Sequence, residues 1–157
     1  MLYITELVKR QIIETGILNF PEAGIGFLLG FEKRDIRIIE KIVISDIYLD
    51  ADHFLPVTAQ DQLDAALLGE EEGLSVLGIF YTLPNKPSVP EHIDYAALPD
   101  HYSILLLSVW GGDFINLQSW RMNAQKERVQ ESIAIVSDQY YEPLVPKSST
   151  PFSINYN

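Results

Sequence analysis

Apolar residues Ile4, Leu7, Val8 and Ile12 recur at three- and four-residue spacing around Thr5, a residue suited to capping a helix, and the pattern breaks at Gly16. This predicts a helix over about 5–15. The period then changes. Gly24-Ile25-Gly26-Phe27-Leu28-Leu29-Gly30 is too short and glycine-rich for a helix; a charged turn, Glu32-Lys33-Arg34-Asp35, and the β-branched run Ile36 to Ile47 follow it. Together they predict a hairpin of two long strands. Asp50-Ala51-Asp52-His53 is polar and turn-like. After it, Thr58 with Asp61 three residues on makes a capping box for a helix carrying Leu63, Ala66 and Leu67, which Gly69 is expected to stop.

Leu74 to Tyr81 is a nearly continuous apolar run of strand length, as expected of a central strand covered on both faces. It leads into a proline-rich loop, Leu83 to Pro90, and a short helix, Glu91 to Leu98, stopped by Pro99. Tyr102 to Trp110 and Asp113 to Met122 are two strands joined across Gly111-Gly112, a tight-hairpin signal. Polar Asn123 to Gln130 separates them from a last strand near Ser132–Val136. From Ser137 on no period survives, which predicts an irregular tail; its aromatics Tyr140, Tyr141, Phe152 and Tyr156 either extend a binding surface or pack back on the sheet. These elements predict one domain over 1–136 and a tail over 137–157. The fold class is α/β, a three-layer α-β-α arrangement with a mixed, mostly antiparallel sheet. Ligands of open α/β sheets sit outside the carboxyl ends of strands, which directs attention to the loop after the central strand.

Composition narrows the function. The chain has 157 residues, 47% of them hydrophobic and 21% charged, enough to bury a core. With 11 Lys plus Arg against 22 Asp plus Glu its net charge is −11, which argues against nucleic acid and anionic membranes and favours basic or neutral partners. There are no cysteines, so disulfides, thiolate zinc sites and cysteine nucleophiles are excluded; the histidines are His53, His92 and His101. No basic leader and no apolar run of ~18 residues is visible, and the expectation is a soluble, cytoplasmic protein.

Element order and two local strings resemble the JAMM metallopeptidase domain, also called the JAB/MPN domain. That family carries a Glu at the start of the first long strand, His-x-His-Pro at the end of the central strand, six residues, and Ser-x-x-Asp opening a short helix. Here Tyr81-Thr82-Leu83-Pro84, then Asn85 to Pro90, then Glu91-His92-Ile93-Asp94 follow that frame without a gap. The resemblance implies the JAB/MPN, cytidine-deaminase-like architecture. It also implies that Tyr81 and Leu83 stand where zinc-binding histidines would, Glu91 where the serine would, and that only Pro84 and Asp94 match. The upstream acid position falls on Ala23, fixed by Gly26 and Gly30, with Glu22 one residue early. In active relatives the zinc lowers the pKa of a bound water and the Glu takes its proton. Leucine has no lone pair to offer, and neutral tyrosine is a poor substitute for imidazole.

The expectation is therefore a catalytically inactive JAMM-like domain without bound zinc. Its groove would be formed by Tyr81, Thr82, Leu83, Glu91 and Asp94, with an apolar patch where catalysis was. By resemblance its partner is a ubiquitin-like or sulfur-carrier-like protein, or another JAMM/MPN-like subunit. The alternative is a metal-dependent (iso)peptidase with a rebuilt site from His92, Asp94 and Glu22. A third reading is a small-ligand site at Tyr81, Thr82 and Glu91. Each residue also has a plainer role: Asp94 in the first turn of its helix, Ser88-x-x-Glu91 as a capping box, His53 within a solvated acidic turn, His101 as a loop residue. Gly24-x-Gly26-x-x-x-Gly30 is no dinucleotide fingerprint, because no helix follows it, and its glycines read as close-packing positions.

Overall fold

A computed structural model describes residues 1–34, 36–48, 58–90 and 98–138, with backbone only at 46–48. Among them the chain is an α/β fold with two helices and a mixed eight-stranded sheet. The elements are β1 (Leu2–Thr5), α1 (Glu6–Asn19), β2 (Ala23–Lys33), β3 (Ile36–Tyr48), α2 (Ala59–Glu71), β4 (Ser75–Pro84), β5 (Ser103–Trp110), β6 (Asp113–Met122), β7 (Arg128–Glu131) and β8 (Ile133–Val136). The sheet order is β7-β6-β5-β4-β2-β3-β1-β8. Pairs β1–β3, β1–β8 and β4–β5 are parallel, and the other four neighbouring pairs are antiparallel.

Both long hairpins form where the pattern puts them. β2 and β3 pair from Lys33↔Ile36 outward. β5 and β6 meet at Trp110↔Asp113 around Gly111 and Gly112, whose φ of 59° and 89° suit the tight turn that glycine permits. β4 is central, between β2 and β5, and extends to Pro84, three residues past Tyr81. Its residues alternate between two cores. Ile79, Tyr81 and Leu83 face a cluster with Ala65 of α2, while Phe80 faces one with Val8 and Ile12 of α1, so the helices cover opposite faces of the sheet.

Helix boundaries differ instructively from the expected ones. Thr5 caps α1, its hydroxyl accepting from the Val8 amide at 3.1 Å, but the helix continues through Gly16 to Asn19. Gly16 lies against β5: a Cβ there would sit 2.5 Å from Leu107 and 2.9 Å from Val109. The glycine marks a close helix–sheet approach, not a stop. The Thr58–Asp61 capping box is present at the start of α2. The stop expected at Gly69 falls later: Leu74 N–H donates to Gly69 O at 2.8 Å and Gly73 N–H to Glu70 O at 3.2 Å, with Gly73 at φ 72°, a Schellman ending. α2 buries Ala65 and Gly69, so the apolar Leu63 and Leu67 face solvent.

Two short strands escape the pattern. β1 inserts in parallel between β3 and β8 just ahead of the expected helix, taking in only its first residue, Thr5, and β7 pairs with β6 at the end of the stretch expected to be a polar separator. β7 and β8 stand at opposite ends of the sheet order yet are joined by Ser132 alone, whose carbonyl accepts from the Leu2 amide at 2.8 Å. The sheet therefore curls until its edges meet, with α1 packed across its concave face. Edge protection follows, since the short strands occupy what would otherwise be open pairing edges. No helix among the described residues is long and apolar enough to cross a membrane. The expected helix over 91–98, the Asp50–His53 turn and the tail from 139 lie outside the described residues, apart from Leu98.

Candidate functional site

The carboxyl end of β4 holds the positions that the sequence singles out. Tyr81 and Leu83 are each 1% exposed and lie in the cluster formed with Ile25, Phe27, Leu98, Tyr102, Ile104 and Leu106, with Val76 and Trp120 against it. Thr82 turns to the α1 side, where its hydroxyl accepts from the Gly24 amide at 2.6 Å and ties β4 to the start of β2. Ala23 is fully buried and, two residues before Ile25, shares the face that Ile25 presents to Tyr81 across the β2–β4 register. Glu22 precedes the strand, in the turn where its N–H donates to Asn19 O at 2.6 Å.

This corrects one expectation: Tyr81, Thr82 and Leu83 do not form an exposed patch. All three are interior, because β4 is covered on both faces. Exposed apolar side chains near this end come instead from the β5–β6 hairpin, at Trp110 and Ile115. Glu91, His92 and Asp94 lie outside the described residues. Among the described residues no group of three His, Asp or Glu side chains is placed to hold a metal. At positions 23 and 83 the residues do not fit zinc, because alanine and leucine have no donor atom, and at 81 a neutral phenol stands in place of an imidazole, its ring in the cluster with Ile25, Ile79 and Ile104.

The loop after β4 is pinned rather than free. Asn85, at φ 54°, donates its N–H to Val109 O at 2.6 Å and accepts from the Gly111 amide at 2.9 Å. Ser108 Oγ donates to Lys86 O at 2.5 Å and accepts from Trp110 Nε1 at 2.8 Å. Ser88 Oγ donates to Asn116 Oδ1 at 2.5 Å, and Trp120 Nε1 to Ser88 O at 3.0 Å. These polar groups are spent on holding the proline-rich segment to the β5–β6 hairpin. None of them pairs a nucleophile with a base.

Tyr102, a member of the apolar cluster around Tyr81, has its pKa raised above the ordinary 10.0 by burial. A phenol with a raised folded-state pKa contributes stability that is intact below 10.0 and lost as pH rises through the folded value. In urea unfolding between pH 8 and 11, wild type is expected to lose more stability at the alkaline end than Tyr102→Phe. Equal slopes would contradict the burial assignment.

A second polar cluster, unforeseen from the sequence, lies inside the curl at the opposite end of β4. Arg37 of β3 is buried and donates to Glu32 Oε2 at 2.7 Å, Ser103 Oγ at 2.6 Å, Leu77 O at 2.7 Å and His101 O at 3.2 Å. Glu131 of β7 accepts from Ser103 Oγ at 2.7 Å and Ser119 Oγ at 2.8 Å and faces Arg37 at 3.9 Å and Arg121 at 3.7 Å. Leu77 has no partner in the β2–β4 register, so its carbonyl is available to the guanidinium. Desolvation pulls the Arg37 pKa below its ordinary value and Arg121 adds to this, while Glu131 and Glu32 oppose it. The only sequence signal is an arginine within the β-branched run Ile36–Ile39.

The fold has counterparts among solved structures. A Desulfitobacterium hafniense protein determined in solution matches with TM-score 0.71 and 21% identity over 90% of this chain and 97% of its own. A Salinibacter ruber protein, also determined in solution, matches with TM-score 0.67 and 24% identity over 85% of this chain and 91% of its own. A crystal structure of a JAB1/MPN domain protein from Archaeoglobus fulgidus matches with TM-score 0.50 and 15% identity over 85% of this chain and 98% of its own. No family model matches the sequence, and no curated protein is a significant sequence match. At such identities the likeness is one of fold, and an MPN-like fold is plausible for this chain.

Proposed function

We propose that this chain is a degenerate JAMM/MPN-like domain that binds no catalytic zinc and acts as a protein-binding or scaffolding module. With a helix against each face of the sheet, the three-layer α-β-α arrangement belongs to the same reading. One observation carries it: Tyr81 and Leu83, on the frame positions of the zinc-binding histidines, are core residues at 1% exposure each. An aromatic and an aliphatic side chain in place of two histidines would lower the cost of burying polar groups there, and the packing of both with Ile25 and Ile104 supports this reading. With Ala23 on the same face, the general base of active relatives has no counterpart in β2. The partner under this reading is a ubiquitin-like protein or another JAMM/MPN-like subunit, and the protein works in the cytoplasm.

Elemental analysis of purified protein after dialysis against zinc is expected to give well under one equivalent, and incubation with peptide and isopeptide substrates to give no cleavage. Near-equimolar zinc, lost together with a cleavage activity in Asp94→Ala, would establish the rebuilt metallopeptidase instead.

A further inference from the structure

Helix α2 turns a narrow stripe to the sheet and leaves a short ridge of leucines in solvent. Ala65 and Gly69 are buried, with Asp61 and Gln62 half-buried beside them. Leu63 and Leu67, one turn apart and each 52% exposed, stand on the other side, and Leu68, 46% exposed, lies on the flank. Leucines four residues apart form a continuous ridge on a helix surface. A ridge of this kind left in water is a sign of docking rather than of folding.

Charge decides what docks there. Ala59–Glu71 contains Asp61, Asp64, Glu70 and Glu71 and no lysine or arginine. Asp64, Glu70 and Glu71 are exposed. Glu70 and Glu71 also occupy the last turn, where the helix carbonyls already concentrate negative potential, so a cation is stabilised there and a further anion is not. Lys41 meets Glu72 at 2.7 Å, but among the described residues no ion pair takes Glu70 or Glu71. A second copy of the chain would set the same acidic rim against itself in a molecule of net charge −11. A partner with basic residues beside its apolar anchors meets no such repulsion.

We propose that the outer face of α2 docks an amphipathic helical segment of a partner protein, its apolar side chains on Leu63 and Leu67 and its lysines or arginines on Asp64, Glu70 and Glu71. This names the partner chemistry of the binding module proposed above and rests on that reading; it does not depend on whether zinc is bound. Failure here leaves the zinc and cleavage assays standing, and a positive zinc result leaves this face untouched.

The probe is a synthetic helical peptide with leucines along one face and lysines flanking them, followed by fluorescence anisotropy and by amide chemical shifts of the labelled protein. Binding is expected, with shifts centred on α2, and is expected to weaken as salt rises. Leu63→Ser/Leu67→Ser removes the ridge at constant charge and is expected to weaken binding roughly tenfold or more. Glu70→Lys/Glu71→Lys is expected to weaken it through the rim, and a peptide with glutamates for lysines is expected not to bind. Unchanged affinity in the serine variant would mean charge attraction alone and would overturn the proposal, as would no binding to wild type. A wild-type dimer by sedimentation that the serine variant abolishes would make a second copy the occupant and overturn it equally.

Discussion

Arg37→Leu is expected to lose about 3–5 kcal/mol of stability, the usual cost of stripping one partner from a buried charge network. For a domain of this size that lowers the melting temperature by on the order of 10 °C. The loss has a definite origin. Without the guanidinium, the Glu131 carboxylate stays buried with only Ser103, Ser119 and the partly exposed Arg121 beside it, and the Leu77 carbonyl loses its donor. Arg37→Leu/Glu131→Leu removes both charges and is expected to recover part of the loss, because the orphaned carboxylate is gone. Thermal unfolding of wild type, both single variants and the double variant forms the required cycle. Strictly additive losses would show that Arg37 and Glu131 act independently, against the geometry that joins β3 to β7 through Ser103.

The second large effect concerns Gly30. A Cβ there would lie 1.8 Å from the Ile38 carbonyl oxygen and 2.8 Å from its carbon, both backbone atoms of the paired strand. The position follows a register shift between Leu29 and Gly30 that brings β3 unusually close. A side chain can turn aside, but a paired strand cannot move without breaking its ladder, so Gly30→Ala is expected to lose about 3 kcal/mol, the upper end for an overfilled core. Gly112→Ala is the comparison: its φ of 89° is strained for alanine, yet the nearest atom, in the Phe20 ring, is 3.9 Å away. Its expected loss is about 1–2 kcal/mol. Urea midpoints that rank the two variants in the opposite order would show that β3 yields locally.

Much of the scaffold is legible in the chain because its signals are local. The Thr5 and Thr58 caps, the Gly111-Gly112 turn and the apolar run of β4 each depend on neighbours within a few residues. β1 and β7 are four residues each and gain stability only from strands remote in sequence, so no periodicity betrays them. Gly16 and Gly69 read as helix stops because glycine disfavours helix locally. Their packing against Leu107 and Leu74 becomes visible only once α1 lies on β5 and α2 turns into β4. For the candidate site, the frame Tyr81 to Pro84 and the absence of histidine at positions 81 and 83 are plain in the residues themselves. That Tyr81 and Leu83 are interior, and that the loop after them is fastened by Asn85, Ser88 and Ser108, is not.

By itself, then, the sequence determined the two hairpins, the central strand, both helix starts and the absence of histidine at positions 81 and 83. Tertiary structure alone decided that the sheet curls until β7 and β8 meet at Ser132, that Arg37 and Glu131 are buried within the curl, and that α2 turns Leu63 and Leu67 outward. The division has one physical cause. Capping, turn formation and hydrophobic alternation are settled over a few residues, whereas burial belongs to whichever surfaces are brought together. An apolar ridge on an isolated helix carries no mark of whether its own sheet or another protein will cover it.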